Sequence, residues 1–165
     1  MKRKAGRRAT PAPDVASDIQ QKQPFARLSE EATVDLMLTT DVVRRWGESL
    51  VASSGVTLQQ YNVLRILRGA GEAGLPTLVI RDRMIHEAPG ITRLLDKLEA
   101  AGLARRERTS PDRRQVFCYI TPGGLSVLDA LDVAMKEADD VAVGSLTEEE
   151  QRTLIKLLER VRTRR

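Results

Sequence analysis

The sequence predicts a mainly α-helical protein with one short β-hairpin. Apolar residues recur at helical spacing along most of the chain, and their period changes to two only between residues 103 and 120. Capping patterns and glycines mark where successive helices begin and end. The length of 165 residues is that of one domain, or of one domain with appended segments.

A long helix is predicted over residues 29–53. Its large apolar side chains recur every seven residues, at Leu36, Val43 and Leu50. Gly55 then ends the helix. Because so long and apolar a helix exceeds what a small domain can cover alone, we expect it to pack against a second subunit.

Two shorter helices are predicted next. Thr57 and Gln60 have the spacing of a capping box, in which the two side chains satisfy backbone N–H groups at a helix start. Glycines at positions 69, 71 and 74 are predicted to break this helix and form a flexible loop. They match the Gly-x-Gly-x-x-Gly pattern, but a dinucleotide site requires a strand before that pattern. Pro76 and Thr77 then start a short helix that ends near Ile85.

A helix and a hairpin complete this region. The helix, from about residue 88 to residue 101, has a one-sided apolar stripe and ends at Gly102. Alternation with a period of two then predicts strands at 103–108 and 115–120, joined by turn residues 109–112. Two helices, an exposed third helix and a two-stranded wing, in this order, predict a winged helix-turn-helix.

Two more helices are predicted after the hairpin. Thr121 and Pro122 are typical of a helix start, and Thr147 and Glu150 have the spacing of a second capping box. The apolar stripes of the two helices consist of Leu128, Leu131, Met135 and Ala138, and of Leu154, Ile155, Leu158 and Val161.

The chain is predicted to contain four segments. Residues 1–24 are polar, basic and proline-containing, which predicts a disordered tail. A contact of this tail with DNA phosphates stays open. Residues 25–54 are predicted to form an N-terminal dimerisation helix, residues 55–121 a winged helix-turn-helix DNA-binding domain, and residues 122–165 C-terminal dimerisation helices.

Charge and composition limit the class of protein. The chain has a net charge of +4, and its basic side chains cluster at both termini and around residues 105–114. This clustering favours a polyanionic partner on one face. No apolar run reaches the ~18 residues of a membrane span, and the basic start lacks the apolar segment of a signal peptide. The single cysteine excludes an internal disulfide and suits a reducing compartment. We therefore expect a cytoplasmic protein without membrane contact.

An enzyme is the class that the sequence favours least. His86 is the only histidine, and the chain has no Cys-x-x-Cys pair, so neither a catalytic triad nor a metal site is expected, and no cofactor. Cys118 shares a strand face with Val116 and Ile120, which favours packing. The nearby arginines leave redox sensing open as an alternative.

Three segments resemble the MarR family of bacterial regulators: TLQQYNVLRIL, PGITRLLDKLEAAGLARR and SPDRRQVFCYITPGG. The resemblance covers residues 57–124, and the third segment is its most specific part. It implies a transcriptional regulator, usually a repressor, that binds a pseudo-palindromic site in double-stranded DNA as a homodimer. It also implies a small-molecule effector, held between the dimerisation helices and the DNA-binding domain. Trp46 and Tyr61 are candidates for that pocket, although helical aromatic residues are more often core.

The helix over residues 88–101 is predicted to be the recognition helix. Arg93 can donate a bidentate pair to guanine, and Thr92 can bond to a base edge or contact a thymine methyl group. Pro89 and Gly90, in the first turn, are small enough for close approach to the DNA backbone. Lys97 is placed for a phosphate. The resemblance implies DNA contact at the positions of Thr92, Arg93 and Lys97.

The wing is predicted to enter the minor groove, where narrowing concentrates negative potential that attracts arginine. Arg114 matches the family's wing-tip arginine and is the predicted insertion, with Arg113 beside it. Asp112 repels phosphate, so we expect it to orient an arginine through a charge-assisted hydrogen bond.

Arg106, at the base of the wing, is predicted to contact the phosphate backbone, and Thr77 is a weaker phosphate candidate. The alternative for Arg105, Arg106 and Arg108 is surface ion pairing with Glu99 and Glu107. We expect that alternative to hold for at least one of the three.

Two other functions are compatible with the sequence. A non-specific architectural DNA-binding protein would use the basic tail and wing, but phosphate binding alone requires neither Thr92 nor Arg93 on an exposed face. A protein-interaction module could keep the fold and lose DNA binding. The combination of Thr92, Arg93, Arg113 and Arg114 argues against it.

Overall fold

The computed structural model describes residues 15–86, 89–108 and 115–163. The chain divides into two units, residues 1–44 and residues 45–165. In chain order, the described elements are α1 (Val15–Asp18), α2 (Leu28–Val51), α3 (Leu58–Ala70), a 3-10 turn (Gly71–Ala73), β1 (Leu75–Pro76), α4 (Thr77–Asp82), α5 (Ile91–Ala100), β2 (Ala104–Arg108), β3 (Val116–Ile120), α6 (Pro122–Val143) and α7 (Glu148–Arg162). The predicted fold class, mainly helical with a small β wing, is confirmed.

The first unit contains α1 and the larger part of α2. α1 is a single helical turn within the segment that the sequence predicted to be disordered, and that prediction does not hold for residues 15–18. The turn forms where Val15 is buried and its carbonyl accepts a hydrogen bond from the N–H of Ile19 at 3.2 Å. The long helix predicted over residues 29–53 is found as α2, within two residues at each end.

The core of the second unit is built around α3. Val63, Leu64 and Leu67 on one face of this helix are 0% exposed. α3 contacts α5, β3 and α6, so elements that follow it at widely different distances in the sequence converge on one helix. The fully buried residues contributed by the other elements are Ile80, Leu95, Leu98, Cys118 and Leu128.

The predicted caps are confirmed by their hydrogen bonds. At the start of α3, the Gln60 N–H donates to Thr57 Oγ1 at 3.2 Å, and the Thr57 N–H donates to Gln60 Oε1 at 2.8 Å. The end of α5 is a Schellman motif, in which the Leu103 N–H donates to the Leu98 carbonyl at 2.8 Å. Gly102 supplies the required left-handed geometry, with φ of 70°.

The sheet has three antiparallel strands in the order β1-β3-β2, whereas the sequence predicted only the β2–β3 hairpin. β1 was missed because it has two residues, one of them a proline, and lies next to the glycine-rich loop. Proline is tolerated there because β1 is an edge strand. In the sheet register, Cys118 of β3 lies between Leu75 of β1 and Arg106 of β2.

Three predicted boundaries differ from the structure. α3 continues through Gly69 to Ala70, so only Gly71 and Gly74 lie outside the helix. α4 ends at Asp82 rather than near Ile85. α5 begins at Ile91, after its N-cap Gly90, so Pro89 and Gly90 precede the helix instead of forming its first turn. Glycine extends a helix poorly but is accepted at the N-cap, which is the position that Gly90 takes.

The C-terminal helices leave much apolar surface uncovered. α6 buries Leu128 and Leu131 against the core, but α7 has no buried residue along its described length. Ile155 and Val161 of α7 are 55% and 57% exposed. Gln151 fixes the turn between the two helices, because its Nε2 donates to the carbonyl of Leu146 at 3.1 Å. None of the helices in the described ranges has the length and apolar character that crossing a bilayer requires.

Candidate nucleic-acid interface

The predicted recognition helix has two distinct faces. Ile91, Leu95 and Leu98 of α5 are buried in the core, whereas Thr92 and Arg93 are exposed on the opposite side. Lys97 is also exposed, one turn after Arg93. Within the described ranges of the chain, no carboxylate forms an ion pair with Arg93 or Lys97. The helix therefore presents two cations and a hydroxyl to its surroundings.

The N-terminal end of α5 is open. Gly90 is the N-cap and has no side chain to bond the first helical N–H groups. Its φ of −105° is accessible to any residue, and a Cβ added there would meet no atom of the described residues within 4 Å. The fold of this chain therefore does not require glycine at this position, and Pro89 beside it is exposed.

Arg106 of β2 is held by two carboxylates of α5. Its Nε donates to Glu99 Oε2 at 2.8 Å, and its Nη2 donates to Glu99 Oε2 at 2.5 Å and to Asp96 Oδ1 at 2.6 Å. The Arg106 backbone N–H also donates to Glu99 Oε1 at 3.1 Å. These hydrogen bonds hold the pKa of the Glu99 carboxyl below its usual range. The expectation that at least one wing-base arginine forms an ion pair is confirmed.

Arg105 lies on the other face of β2, because neighbouring residues of a strand alternate in direction. It forms an ion pair with Glu107, and its guanidinium carbon lies 4.2 Å from the centre of the Tyr119 ring. Tyr119 in turn contacts the backbone at Gly74, where an added Cβ would lie 2.4 Å from the ring. The stack joins the root of the wing to the loop after α3.

Thr77, the weaker phosphate candidate, and Cys118, the candidate for redox sensing, lie near each other in the interior. The Thr77 hydroxyl lies 3.7 Å from Cys118 Sγ, on the inner side of the sheet, and Thr77 is half-buried. Cys118 is 0% exposed, and burial raises the pKa of its thiol. The packing interpretation of Cys118 is therefore confirmed.

His86, the single histidine of the chain, is exposed.

The wing-tip residues Asp112, Arg113 and Arg114 lie outside the described residues. Their contacts with DNA therefore stay predictions. The structure describes the strands on either side of them, β2 to Arg108 and β3 from Val116.

The two effector-pocket candidates have different environments. Trp46 is 41% exposed, whereas Tyr61 is buried, and the Arg65 guanidinium carbon lies 5.9 Å from the centre of its ring. Burial raises the pKa of the Tyr61 hydroxyl. A groove of about 500 Å³ is found at a different place, between the end of α6 and the start of α7. Its lining residues are Leu146, Thr147, Glu149, Glu150, Thr153, Leu154 and Leu157.

Sequence reasoning missed the role of Asp96. The sequence analysis assigns Asp96 no role, although Asp96 and Glu99 are three residues apart and therefore lie on the same side of α5. That spacing was the available signal for a two-carboxylate acceptor. Among the residues that the structure describes, no group of three or more histidine, cysteine or acidic side chains could hold a metal ion.

Comparison with known proteins gives consistent matches. A family model described as "MarR family" matches residues 54–115. The HTH-type transcriptional regulator MhqR of Bacillus subtilis is 30% identical over 107 residues, which cover 65% of this chain and 72% of that protein.

The solved structures that are similar to this fold include the following two. A MarR transcription factor from Planctomyces limnophilus is 36% identical with a TM-score of 0.63, over 82% of this chain and 98% of that one. The S. aureus MepR in a complex with DNA is 20% identical with a TM-score of 0.72, over 78% and 94% of the two chains. At 20% identity, the second likeness concerns the fold alone.

Proposed function

We propose that this chain, which belongs to the MarR family of transcriptional regulators, binds a pseudo-palindromic site in double-stranded DNA as a homodimer. The observation on which this rests is the exposed face of α5, where Thr92, Arg93 and Lys97 lie opposite a fully buried apolar face. A helix of this kind fits the major groove of B-DNA, and two-fold symmetry then places half-sites about 10 base pairs apart.

The side chains of α5 suggest a division of labour. Arg93, near the N-terminal end, is proposed to donate a bidentate pair to a guanine, with Thr92 on an adjacent base. Lys97, one turn on, is proposed to neutralise a phosphate. Pro89 and Gly90 would allow the DNA backbone to approach the start of the helix. Among the described residues, neither packing around Gly90 nor its φ explains a glycine there, which supports this role.

The wing is proposed to enter the flanking minor groove. Arg114 would insert, with Arg113 beside it and Asp112 orienting one of them. Thr77 is retained as a weaker phosphate candidate, although its hydroxyl is directed to Cys118 in the unbound chain.

Homodimer formation is supported by the exposed apolar side chains of the long helices. α6 exposes Val133 and Val141, and α7 exposes Ile155 and Val161. Several exposed apolar side chains on helices of this length are typical of a subunit interface. α2 likewise exposes Met37 and other apolar residues along its own length.

Regulation is proposed to act as repression, relieved by a small effector. Trp46 and Tyr61 remain the proposed pocket residues. Effector binding would have to favour a dimer whose recognition helices no longer match the half-site spacing, since a ligand shifts an equilibrium only through different affinity for the two states.

The test is selection of bound sequences from random duplex DNA by the purified chain at near-physiological salt. A two-fold symmetric consensus is the expected result. Binding without enrichment, and with a steep salt dependence, would instead indicate an architectural DNA-binding protein. No binding to any duplex would contradict the proposal and favour a protein-interaction module.

A further inference from the structure

The contact between the wing and the recognition helix is centred on Arg106. This side chain is 25% exposed, and its Nε and Nη2 are both engaged by carboxylate oxygens of α5. Its backbone N–H donates to Glu99 as well. One residue of β2 thus makes four hydrogen bonds to two residues of the helix. Charge-assisted bonds of this kind fix the relative orientation of the groups that they join.

We propose that Arg106 is a positioning residue for DNA binding, which locks the wing to the recognition helix and neutralises two carboxylates of α5, rather than a phosphate contact. This inference rests on the proposed function, because it assigns the residue a role in the same DNA-binding surface.

The edge of Arg106 that would best bind a phosphate is occupied. A guanidinium reads a phosphate best with its paired N–H groups, and in Arg106 the pair formed by Nε and Nη2 is already occupied by Glu99. Only the Nη1 group has no carboxylate partner among the described residues. A phosphate contact through the preferred edge would require the release of Glu99, and would leave that carboxylate next to the polyanion.

Arg106 also affects the cations that face outward from α5, through its hydrogen bond to Asp96. Asp96 follows Arg93 by three residues on α5, which is the spacing of an intrahelical ion pair. In the structure its Oδ1 instead accepts from Arg106 at 2.6 Å. Because Asp96 bonds Arg106, it does not form an ion pair with Arg93, which stays available for DNA. The charge of Arg106 also offsets the repulsion that the Asp96 and Glu99 carboxylates would exert on nearby phosphates.

The experiment compares the charge-matched variants Glu99→Gln and Glu107→Gln in binding the selected duplex over a range of salt concentrations. Glu107 pairs with Arg105 on the other face of β2, so its substitution removes the same charge without touching the contact with α5. Electrostatics alone predicts that both variants bind DNA at least as tightly as the wild type. The positioning role predicts that Glu99→Gln binds roughly tenfold more weakly, whereas Glu107→Gln does not lose affinity.

Arg106→Gln supplies the second measurement. We expect a similar loss of affinity, with no further loss when it is combined with Glu99→Gln and an unchanged dependence of affinity on salt. A phosphate contact would instead lower the slope of log K against log salt by about 1. Hydrogen exchange in the free protein should rise in both β2 and α5 in Arg106→Gln and in Glu99→Gln, but not in Glu107→Gln.

The outcomes separate the two proposals. If the wild-type chain binds a consensus duplex, unchanged or tighter binding by Glu99→Gln overturns the positioning role and leaves the proposed function intact. If the wild type binds no duplex, the proposed function fails, and a role of Arg106 in DNA binding fails with it. Unchanged hydrogen exchange in both variants would overturn the lock whatever the DNA result.

Discussion

Arg68 donates two hydrogen bonds to the carboxylate of Asp132, at 2.9 and 3.1 Å, and so joins α3 to α6. The two side chains are 32% and 31% exposed, so water screens the pair only in part. α3 is the central helix of the winged helix-turn-helix, and α6 leads into α7, where apolar surface is uncovered. This ion pair therefore joins the winged helix-turn-helix to the first of the two C-terminal helices.

Loss of this tie should lower stability measurably. We expect Arg68→Gln to reduce the free energy of unfolding by about 1–2 kcal/mol, because two charge-assisted hydrogen bonds are lost and Asp132 keeps no equivalent partner. Urea denaturation followed by circular dichroism measures the change. The control is Arg152→Gln, whose ion pair with Glu148 is 70% and 79% exposed and contributes little. Equal effects of the two substitutions would contradict the prediction.

The same pair should make stability depend on pH in acid. Hydrogen bonds from Arg68 hold the pKa of Asp132 below its ordinary value of 3.8. A carboxyl with a depressed pKa contributes stability that is complete above the ordinary value and is lost as the pH falls through the value in the folded state.

Asp132→Asn removes this titration. The difference in unfolding free energy between wild type and Asp132→Asn should therefore be constant near neutral pH and shrink as the pH falls below about 4. Urea midpoints measured from neutral pH downward give this difference. A gap that stays constant across the acid range would show that Asp132 contributes through packing instead.

The sequence predicted the elements whose local signals agree with the tertiary contacts. The capping box at Thr57 and Gln60 and the stop at Gly102 were found because caps depend on a few adjacent residues. β1 could not be found, since its two residues form a strand only through pairing with β3, which lies more than forty positions away. Pairing at that distance leaves no periodicity in a short segment.

The site was predictable to a different degree. The exposure of Thr92, Arg93 and Lys97 followed from the apolar stripe of α5, because one face of a helix determines the other. The contacts of Arg106 could not be predicted from the sequence, since several ion pairs were possible. The candidate partners were the three acids Asp96, Glu99 and Glu107, and the competing arginines were Arg105 and Arg108. Which pair forms depends on the register between β2 and the C-terminal end of α5, and sequence spacing does not fix that register.

Gly74 gives a prediction about the root of the wing. Gly74 has φ of 60°, and an added Cβ would lie 2.4 Å from the Tyr119 ring and 2.9 Å from the Cys118 carbonyl oxygen. We expect Gly74→Ala to lower the free energy of unfolding by about 1–3 kcal/mol, since both the backbone conformation and the ring position must change. Gly69→Ala is the matched control, because Gly69 is in α3 with no atom within 4 Å of an added Cβ. That control should be neutral or stabilising by up to ~1 kcal/mol.

Arg93 and Lys97 should differ in what their loss does to DNA binding. We expect Arg93→Ala to relax base preference at one position of each half-site, at a cost of ~1–3 kcal/mol for the preferred base. Lys97→Ala should weaken binding to all duplexes about equally, because a phosphate contact carries no base information. Competition binding with duplexes substituted at each position measures both effects. A uniform loss in Arg93→Ala would reassign that residue to the phosphate backbone.

The exposed apolar face of α7 makes the subunit interface testable. Ile155 is 55% exposed in the single chain, and we expect a second subunit to cover it. A glutamate at this position would bury a carboxylate in an apolar contact, so Ile155→Glu should shift the chain from dimer to monomer. The same substitution should weaken binding to a duplex with two half-sites far more than binding to a single half-site. Sedimentation velocity measures the first effect.

Lys156→Glu is the control, since Lys156 is exposed on the neighbouring polar side of α7 and its substitution makes a larger change in charge. If both variants remain dimeric, α7 is not the interface. If only Lys156→Glu dissociates, charge rather than apolar burial holds the subunits together.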